Sequence, residues 1–392
     1  MSTLKVNKIT GIVDFEQDVK SQGAGIAINF TVDSAGGVPD SSTATRGDWF
    51  FDNTNNILQW FSGPSGGSEP GSGWYNVGIS DSSGAGAGGG AIYGTRGIIY
   101  NAATVGSGNG YNNSNVIEYF DISASSSFTC TDFGDMLEQS GDTPGSTCSN
   151  ATRVVHQVYS STATRRLQFV ASATTGNATS FGEYDQNYSN FAAWHNGTYG
   201  YFAQQPSYMN RVDVITIATE GNATATGYGN ADVNTHGQQY GAGAAGDTTR
   251  MIQGGGENNG YNTSNIQYIA MPVLADGATF GTLTQARRYV DGTADDTYSI
   301  WGGGYVSNAV STIDYVTTQT TGNASSFGSL WEARTTGACT DGTKGCFVGG
   351  YNGSSRSSRI DYVTIATTGN ATDFGDMTSG ANHAKPKSGY AA

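Results

Sequence analysis

The sequence is poor in charge, leucine and cysteine, and each shortage excludes something. Only 13% of its 392 residues are charged, against about a quarter in ordinary soluble domains. Leucine occurs seven times, and no stretch is rich in Ala, Glu, Lys and Leu together, so a mainly helical fold would lack the residues that build helices. The four cysteines, Cys130, Cys148, Cys339 and Cys346, form no CxxC pair, and the four histidines lie far apart. Neither spacing is that of a zinc site, and neither a metal nor another cofactor is expected. No apolar run approaches the roughly 20 residues of a membrane span, and the opening MSTLKVNKITGIVDF has no core of signal-peptide length. The expectation is a soluble product without membrane insertion. With 32 Asp plus Glu against 18 Lys plus Arg, the net charge of -14 also disfavours nucleic acid and anionic membranes as partners.

What is present points to β-structure. Gly (58), Tyr (22), Phe (16) and Trp (6) accompany many Ser, Thr, Asn, Val and Ile, a mixture suited to short strands and tight turns. The chain repeats itself. RIDYVTIATTGNATDFGDM from Arg359 recurs as STIDYVTTQTTGNASSFGSL from Ser311 and NRVDVITIATEGNATATGYG from Asn210. Weaker copies are RRLQFVASATTGNATSFGEY from Arg165, SNIQYIAMPVLADGATFGTL from Ser264 and NVIEYFDISASSSFTCTDFGDM from Asn115. Their first aliphatic residues, Ile117, Leu167, Val212, Ile266, Ile313 and Ile360, are 50, 45, 54, 47 and 47 positions apart. A period of about 48 belongs to propeller-type repeats. A second landmark, Thr before Arg, Lys or Tyr at Thr95, Thr152, Thr198, Thr249, Thr297 and Thr343, also occurs six times.

Each unit reads as a small antiparallel sheet. One apolar strand ends at Gly-Gly, a polar loop follows, a second strand alternates, a Gly-Asn turn of positive φ follows, and Phe-Gly opens a third strand. The stretch from Phe-Gly to the next Thr supplies a fourth. The fold class expected is therefore all-β: a six-bladed propeller over residues 92–392, preceded by a β-rich module over 1–79 and a Gly/Ser-rich linker over 80–91. The module contains GDWFFDNTNNILQWFSG and GWYNVGI, which predict an aromatic hairpin around Asn53–Asn56. The last unit starts at Thr343, so the final blade is expected to close the ring by strand pairing near Gly94 to Tyr100.

Most chemistry-bearing residues read as structural. Glu118, Asp213, Asp314 and Asp361 resemble the carboxylates of a glycoside hydrolase, but Gln168 and Gln267 occupy the same template position. Catalysis breaks repeat symmetry, whereas a strand-to-turn hydrogen-bond acceptor obeys it, so no catalytic residue is assigned and the chain is not expected to be an enzyme. Arg46-Gly47-Asp48 runs into Trp49 and reads as a strand entry. The sequons at Asn177, Asn222, Asn323 and Asn370 read as turns. His156 and His195 have no evident nucleophile partner, and GGGENNG from Gly254 lacks the lysine and helix of a phosphate loop. Cys339 and Cys346 flank a short turn, compatible with a disulfide or with two buried thiols. The exception is a polar loop after the glycine cluster that presents Tyr111, Tyr261, Tyr305 and Tyr351, with Asn112, Asn262 and Asn352 beside them. Tyr with Asn and Ser suits stacking against sugar rings; the alternative is that these tyrosines fill gaps between blades.

The Gly-Gly strand end followed by IDYV resembles a kelch-type propeller repeat. The TTGNATDFGD wording is similar to kelch-like virion proteins of tailed phages infecting marine cyanobacteria. MSTLKVNKI and GDWFFDNTNNILQWFSG…GWYNVG resemble the N-terminal parts of phage tail-fibre proteins. The chain departs from enzyme-bearing kelch proteins in having no copper ligands, and from cellular ones in lacking a long helical partner-binding domain. The resemblance implies a virion structural protein assembled in the host cytoplasm. Residues 1–79 would attach it to tail, baseplate or capsid proteins, and the propeller would be displayed as an adhesin for host-surface glycan in a homotrimer. An architectural decoration or connector and a glycan depolymerase are the alternatives.

Overall fold

The computed structural model describes residues 30–32, 49–52, 57–61, 74–77, 93–101, 103–104, 112–113, 115–137, 146–150, 152–159, 165–184, 192–204, 211–226, 241–258, 260–271, 277–381 and 384–389. The predicted linker 80–91, the Arg46-Gly47-Asp48 triplet and Tyr111 lie outside these residues. The chain divides into two compact units, Met1–Gly90 and Ala91–Ala392.

In the first unit, Phe30–Val32, Trp49–Asp52, Ile57–Phe61 and Trp74–Val77 form one sheet in that order. The predicted aromatic hairpin is present as an antiparallel pair with Trp49 opposite Trp60 and Asp52 opposite Ile57. Phe30–Val32 adds to it in parallel.

The second unit is a six-bladed β-propeller, without a helix among its described residues. From the axis outward, blade 2 is Thr147–Ser149, Arg153–Tyr159, Arg165–Ala171 and Thr179–Glu183; blade 3 is Ala192–His195, Tyr199–Gln204, Arg211–Thr216 and Thr224–Thr226. Blade 4 is Gly243–Gly246, Arg250–Gly254, Asn265–Ala270 and Ala278–Thr282; blade 5 is Asp291–Ala294, Tyr298–Gly302, Thr312–Thr317 and Ser325–Ser329. Blade 6 is Gly337–Thr340, Lys344–Tyr351, Arg356–Thr364 and Thr372–Ala381. Blade 1 is assembled from both ends of the unit: Ala384–Gly389 is its inner strand, followed outward by Arg96–Asn101, Val116–Asp121 and Thr131–Asp135. The inner strands pack side by side in a closed ring around the axis.

This arrangement corrects the phase of the repeat. The stretch between Phe-Gly and the next Thr does not complete its own sheet; it starts the following one, so Gly337–Thr340 pairs with Lys344–Tyr351 and not with Ser325–Ser329. Six out-of-phase units leave one inner strand over at the C-terminal end and one missing from blade 1. Ala384–Gly389 fills that gap along Arg96–Asn101, which overlaps the segment where closure is expected. Phe128–Thr129 reinforces it by pairing in parallel with the outer strand of blade 6.

The core is a set of wedges between blades, because each sheet is buried on both faces. Ile98, Tyr100, Ile117 and Phe133 of blade 1 meet Val154 and Val170 of blade 2, and Ile313 and Phe327 of blade 5 meet Phe347 and Val363 of blade 6. Each described Phe-Gly places its Phe inside this core. Phe133, Phe181, Phe280 and Phe327 each meet the aromatic of the third strand edge-on, at 5.7–5.9 Å between centroids, worth about 0.5–1.5 kcal/mol per pair beyond burial. The basic residue after the landmark Thr covers the same aromatic, as Arg96 does Tyr119 and Arg250 does Tyr268, both at 4.7 Å.

The Thr landmark itself follows an Asx turn. Oδ1 of Asn150, Asn196, Asp247, Asp295 and Asp341 accepts main-chain N–H bonds from the residues two and three positions on, at 2.5–3.1 Å. Blade 1 carries Tyr93 at this position because its inner strand arrives from elsewhere in the chain and needs no hairpin.

The Gly-Asn turns also differ from expectation. Gly176, Gly221, Gly322 and Gly369 do not have positive φ. The turn instead docks on the preceding blade: Oδ1 of Asn177, Asn222, Asn323 and Asn370 accepts from the N–H of Asp135, Glu183, Thr282 and Ser329 at 3.0–3.1 Å. These sequon asparagines are inter-blade ties.

Candidate binding face

Strand alternation gives the propeller two ends. One carries the Asx hairpins and Gly-Asn turns. The other carries the loops between second and third strands, where the predicted tyrosines lie, and the connections from each outer strand to the next inner strand.

Two of these connections are locked into the blades. Arg287, in the connection from blade 4 to blade 5, is wholly buried. Its Nε donates to Gly303 O at 2.8 Å, one terminal nitrogen to Asp314 Oδ2 at 2.7 Å and the other to Trp301 O at 3.3 Å. Arg334 repeats this one blade on with Gly349 O, Asp361 Oδ2 and Phe347 O. The Gly-Gly pair makes room for the connection: Gly303 and Gly304 have φ of +67° and +116°, and a Cβ on Gly303 would stand 2.3 Å from Arg334 O.

The template acceptors therefore serve as inter-blade ties. Asp314 takes Thr284 N–H at 3.1 Å and Thr284 Oγ1–H at 2.6 Å; Asp361 takes Trp331 N–H at 3.1 Å; Gln168 takes Leu137 N–H at 2.8 Å. Glu118 takes the N–H of Thr378 at 3.0 Å and its hydroxyl. All four acceptors are buried. Burial lifts the Asp361 carboxyl above the usual carboxylate range, and Arg334 offsets this only in part.

The predicted binding residues fall into different roles. Tyr261 tips a two-stranded hairpin, Glu257–Asn258 with Tyr261–Asn262, and is 79% exposed. Asn262 Nδ2 donates to Val306 O at 3.0 Å, joining the loops of blades 4 and 5. Tyr305 exchanges main-chain bonds with Arg288, whose guanidinium sits 5.5 Å over the Tyr305 ring and 5.3 Å over Tyr289 while pairing with Glu257. Tyr305 thus packs between blades, the alternative role. Tyr351 donates its hydroxyl to Gly353 O at 2.8 Å, and Asn352 Oδ1 caps the N–H groups of Ser354 and Ser355 at 3.0 and 2.8 Å. Asn112 lies in a strand paired with Ala103–Thr104.

Two further side chains shape this end. Trp331 is 65% exposed. Glu332 is held by Asn352 Nδ2 at 2.8 Å and Ser357 Oγ at 3.0 Å. Extending the template beyond Phe-Gly-x-Leu would have exposed both, since Trp331 takes the place of Thr284 and Thr378.

Elsewhere, Cys339 and Cys346 lie directly opposite each other on neighbouring strands, both buried and with free thiols. Burial raises the Cys346 and Cys130 thiols far above their ordinary value. His195 does have a serine neighbour, with Ser149 Oγ 3.4 Å from Nε2, but both are buried on inner strands. His156 stacks on Tyr100 at 4.3 Å. Among the described residues, no three His, Cys, Asp or Glu side chains are grouped to hold a metal, and no helix is long and apolar enough to cross a membrane. No protein-family model matches the chain, and no curated protein does either.

Proposed function

We propose that the chain is a virion structural protein, a tail-fibre or baseplate-associated adhesin. In this reading the loop end of the propeller recognises a host-surface glycan, residues 1–79 join a homotrimer to neighbouring virion proteins, and the protein works in the assembled particle. The kelch-like and tail-fibre-like wording of the sequence supports the virion setting. The observation that carries recognition is Tyr261, a large aromatic 79% exposed at the tip of a braced hairpin, where apolar surface in water has no folding role.

The test is glycan-array binding by the full-length protein, with Tyr261→Ala and Tyr351→Ala made together. Binding that is lost in the double variant supports the adhesin. Firm incorporation into particles with no binding to host envelope would assign an architectural role, which the inter-blade packing of Tyr305 favours at that one loop. Release of reducing sugar from host polysaccharide would overturn both in favour of a depolymerase.

A further inference from the structure

Trp331 departs from the repeat at a cost to the fold. Four positions after the buried Phe of the outer strand, blades 4 and 6 carry Thr284 and Thr378. Thr284 satisfies both oxygens of the next blade's buried carboxylate, its N–H on Asp314 Oδ2 and its hydroxyl on Asp314 Oδ1, whereas Thr378 brings both donors to Glu118 Oε1 and leaves Glu118 Oε2 without a hydrogen-bond partner. Trp331 keeps the N–H bond to Asp361 Oδ2 but brings no hydroxyl, and Asp361 Oδ1 is left buried without a hydrogen-bond partner. The indole itself is 65% exposed. An unsatisfied buried oxygen disfavours the folded state relative to the Thr284 arrangement, and a ring that stays mostly in water gains little from folding, so folding does not account for tryptophan here. Positions that trade stability away are characteristic of function.

We propose that Trp331 is the stacking platform of a subsite for an uncharged sugar ring, at the loop end between blades 5 and 6. This rests on the glycan-recognition reading and names the class of ligand. The indole offers a flat apolar face to the C–H face of a pyranose. The next residue, Glu332, is oriented by Asn352 and Ser357 of blade 6, and a carboxylate so held retains lone pairs for sugar hydroxyls. An anionic ligand is disfavoured by the Glu332 carboxylate held beside the ring, and Arg287, Arg288 and Arg334 of this end are committed to Asp314, Glu257 and Asp361. The net charge of -14 acts in the same direction.

The test compares full-length wild type, Trp331→Thr, Trp331→Leu and Tyr261→Ala on neutral hexose oligosaccharides and on acidic polysaccharide fragments, with thermal melts of each. The wild type is expected to bind neutral probes. Trp331→Thr should bind them about tenfold more weakly or worse while melting no lower than wild type, because the threonine hydroxyl can reach Asp361 Oδ1. Trp331→Leu, the residue that Leu137 supplies at this position in blade 1, should lose binding without gaining stability. Unchanged binding in both Trp331 variants alongside loss in Tyr261→Ala would overturn this subsite and leave the adhesin reading standing. Preference for acidic probes would overturn the ligand class, a lower melting temperature of Trp331→Thr would overturn the stability trade, and no binding by wild type would overturn both readings together.

Discussion

Replacing Gly328 by alanine should force blades 5 and 6 apart. A Cβ there would lie 2.1 Å from the Gly369 carbonyl oxygen and 2.9 Å from Asn370 N, where ordinary contact begins at 3.4 Å. Both neighbours are backbone, so the turn of blade 6 must retreat by more than about 1 Å. That movement strains three bonds: Gly369 N–H to Phe327 O at 2.9 Å, Ala371 N–H to Ser329 O at 2.9 Å, and Ser329 N–H to Asn370 Oδ1 at 3.1 Å. At about 1 kcal/mol net for each bond, the loss is roughly 2–3 kcal/mol, the size usual for overpacking. For a unit of this size the melting temperature should fall by roughly 3–5 °C. Gly369, on the other side of the same contact, is the control: nothing lies within 4 Å of its added Cβ and its φ is not positive. Gly369→Ala should be neutral, or stabilise by up to about 1 kcal/mol through a less flexible unfolded chain. Calorimetry of the full-length protein reads both. Equal losses in the two variants, or a melt of Gly328→Ala within 1 °C of wild type, would refute the reasoning.

Three further outcomes are expected. Asp314→Ala strands the buried Arg287 guanidinium, both side chains being fully buried, and should cost about 3–5 kcal/mol by denaturant titration; a loss below about 1 kcal/mol, as for a surface pair, would count against it. The raised carboxyl of Asp361 lies above its unfolded value, so the stability it contributes is present below about pH 4 and is lost as pH rises through the raised value. Asp361→Asn also strands the buried Arg334 guanidinium, but its stability relative to wild type should rise from acidic to neutral pH, and a pH-independent difference would contradict this. Deleting residues 384–392 removes the inner strand of blade 1 and should lower and broaden the melt, with recovery on adding that segment as a peptide; a wild-type melt would show that the closing strand is dispensable.

The repeat makes much of the propeller legible without coordinates. Six copies of an alternating strand, a Gly-Asn turn and a buried Phe carry blade number and strand type, because local alternation and period survive in one dimension. The acceptor position shared by Glu118, Gln168, Asp314 and Asp361 was readable as structural for the same reason, although its partner was not. The donors Leu137, Thr284, Trp331 and Thr378 belong to the preceding blade, some thirty residues earlier in blades 2, 5 and 6 and 260 residues later in blade 1, and no periodicity within a strand names them. The same limit explains the tyrosines. Tyr261 and Tyr305 stand in similar loops, yet one projects into water and the other packs against Arg288, since the outcome depends on the neighbouring blade.

The sequence by itself determined that this low-charge, leucine-poor chain is built of β-strands in six repeated sheets, and that its carboxylates obey the repeat. Tertiary structure decided where each repeat ends. The fourth strand crosses to the next sheet because an inner strand can satisfy its backbone only against a partner across the hairpin, and the Asx turn supplies that hairpin in blades 2 to 6. It also decided that Trp331 stands exposed while Asp361 Oδ1 has no hydrogen-bond partner, whereas in blade 4 the hydroxyl of Thr284 binds the corresponding Asp314 Oδ1.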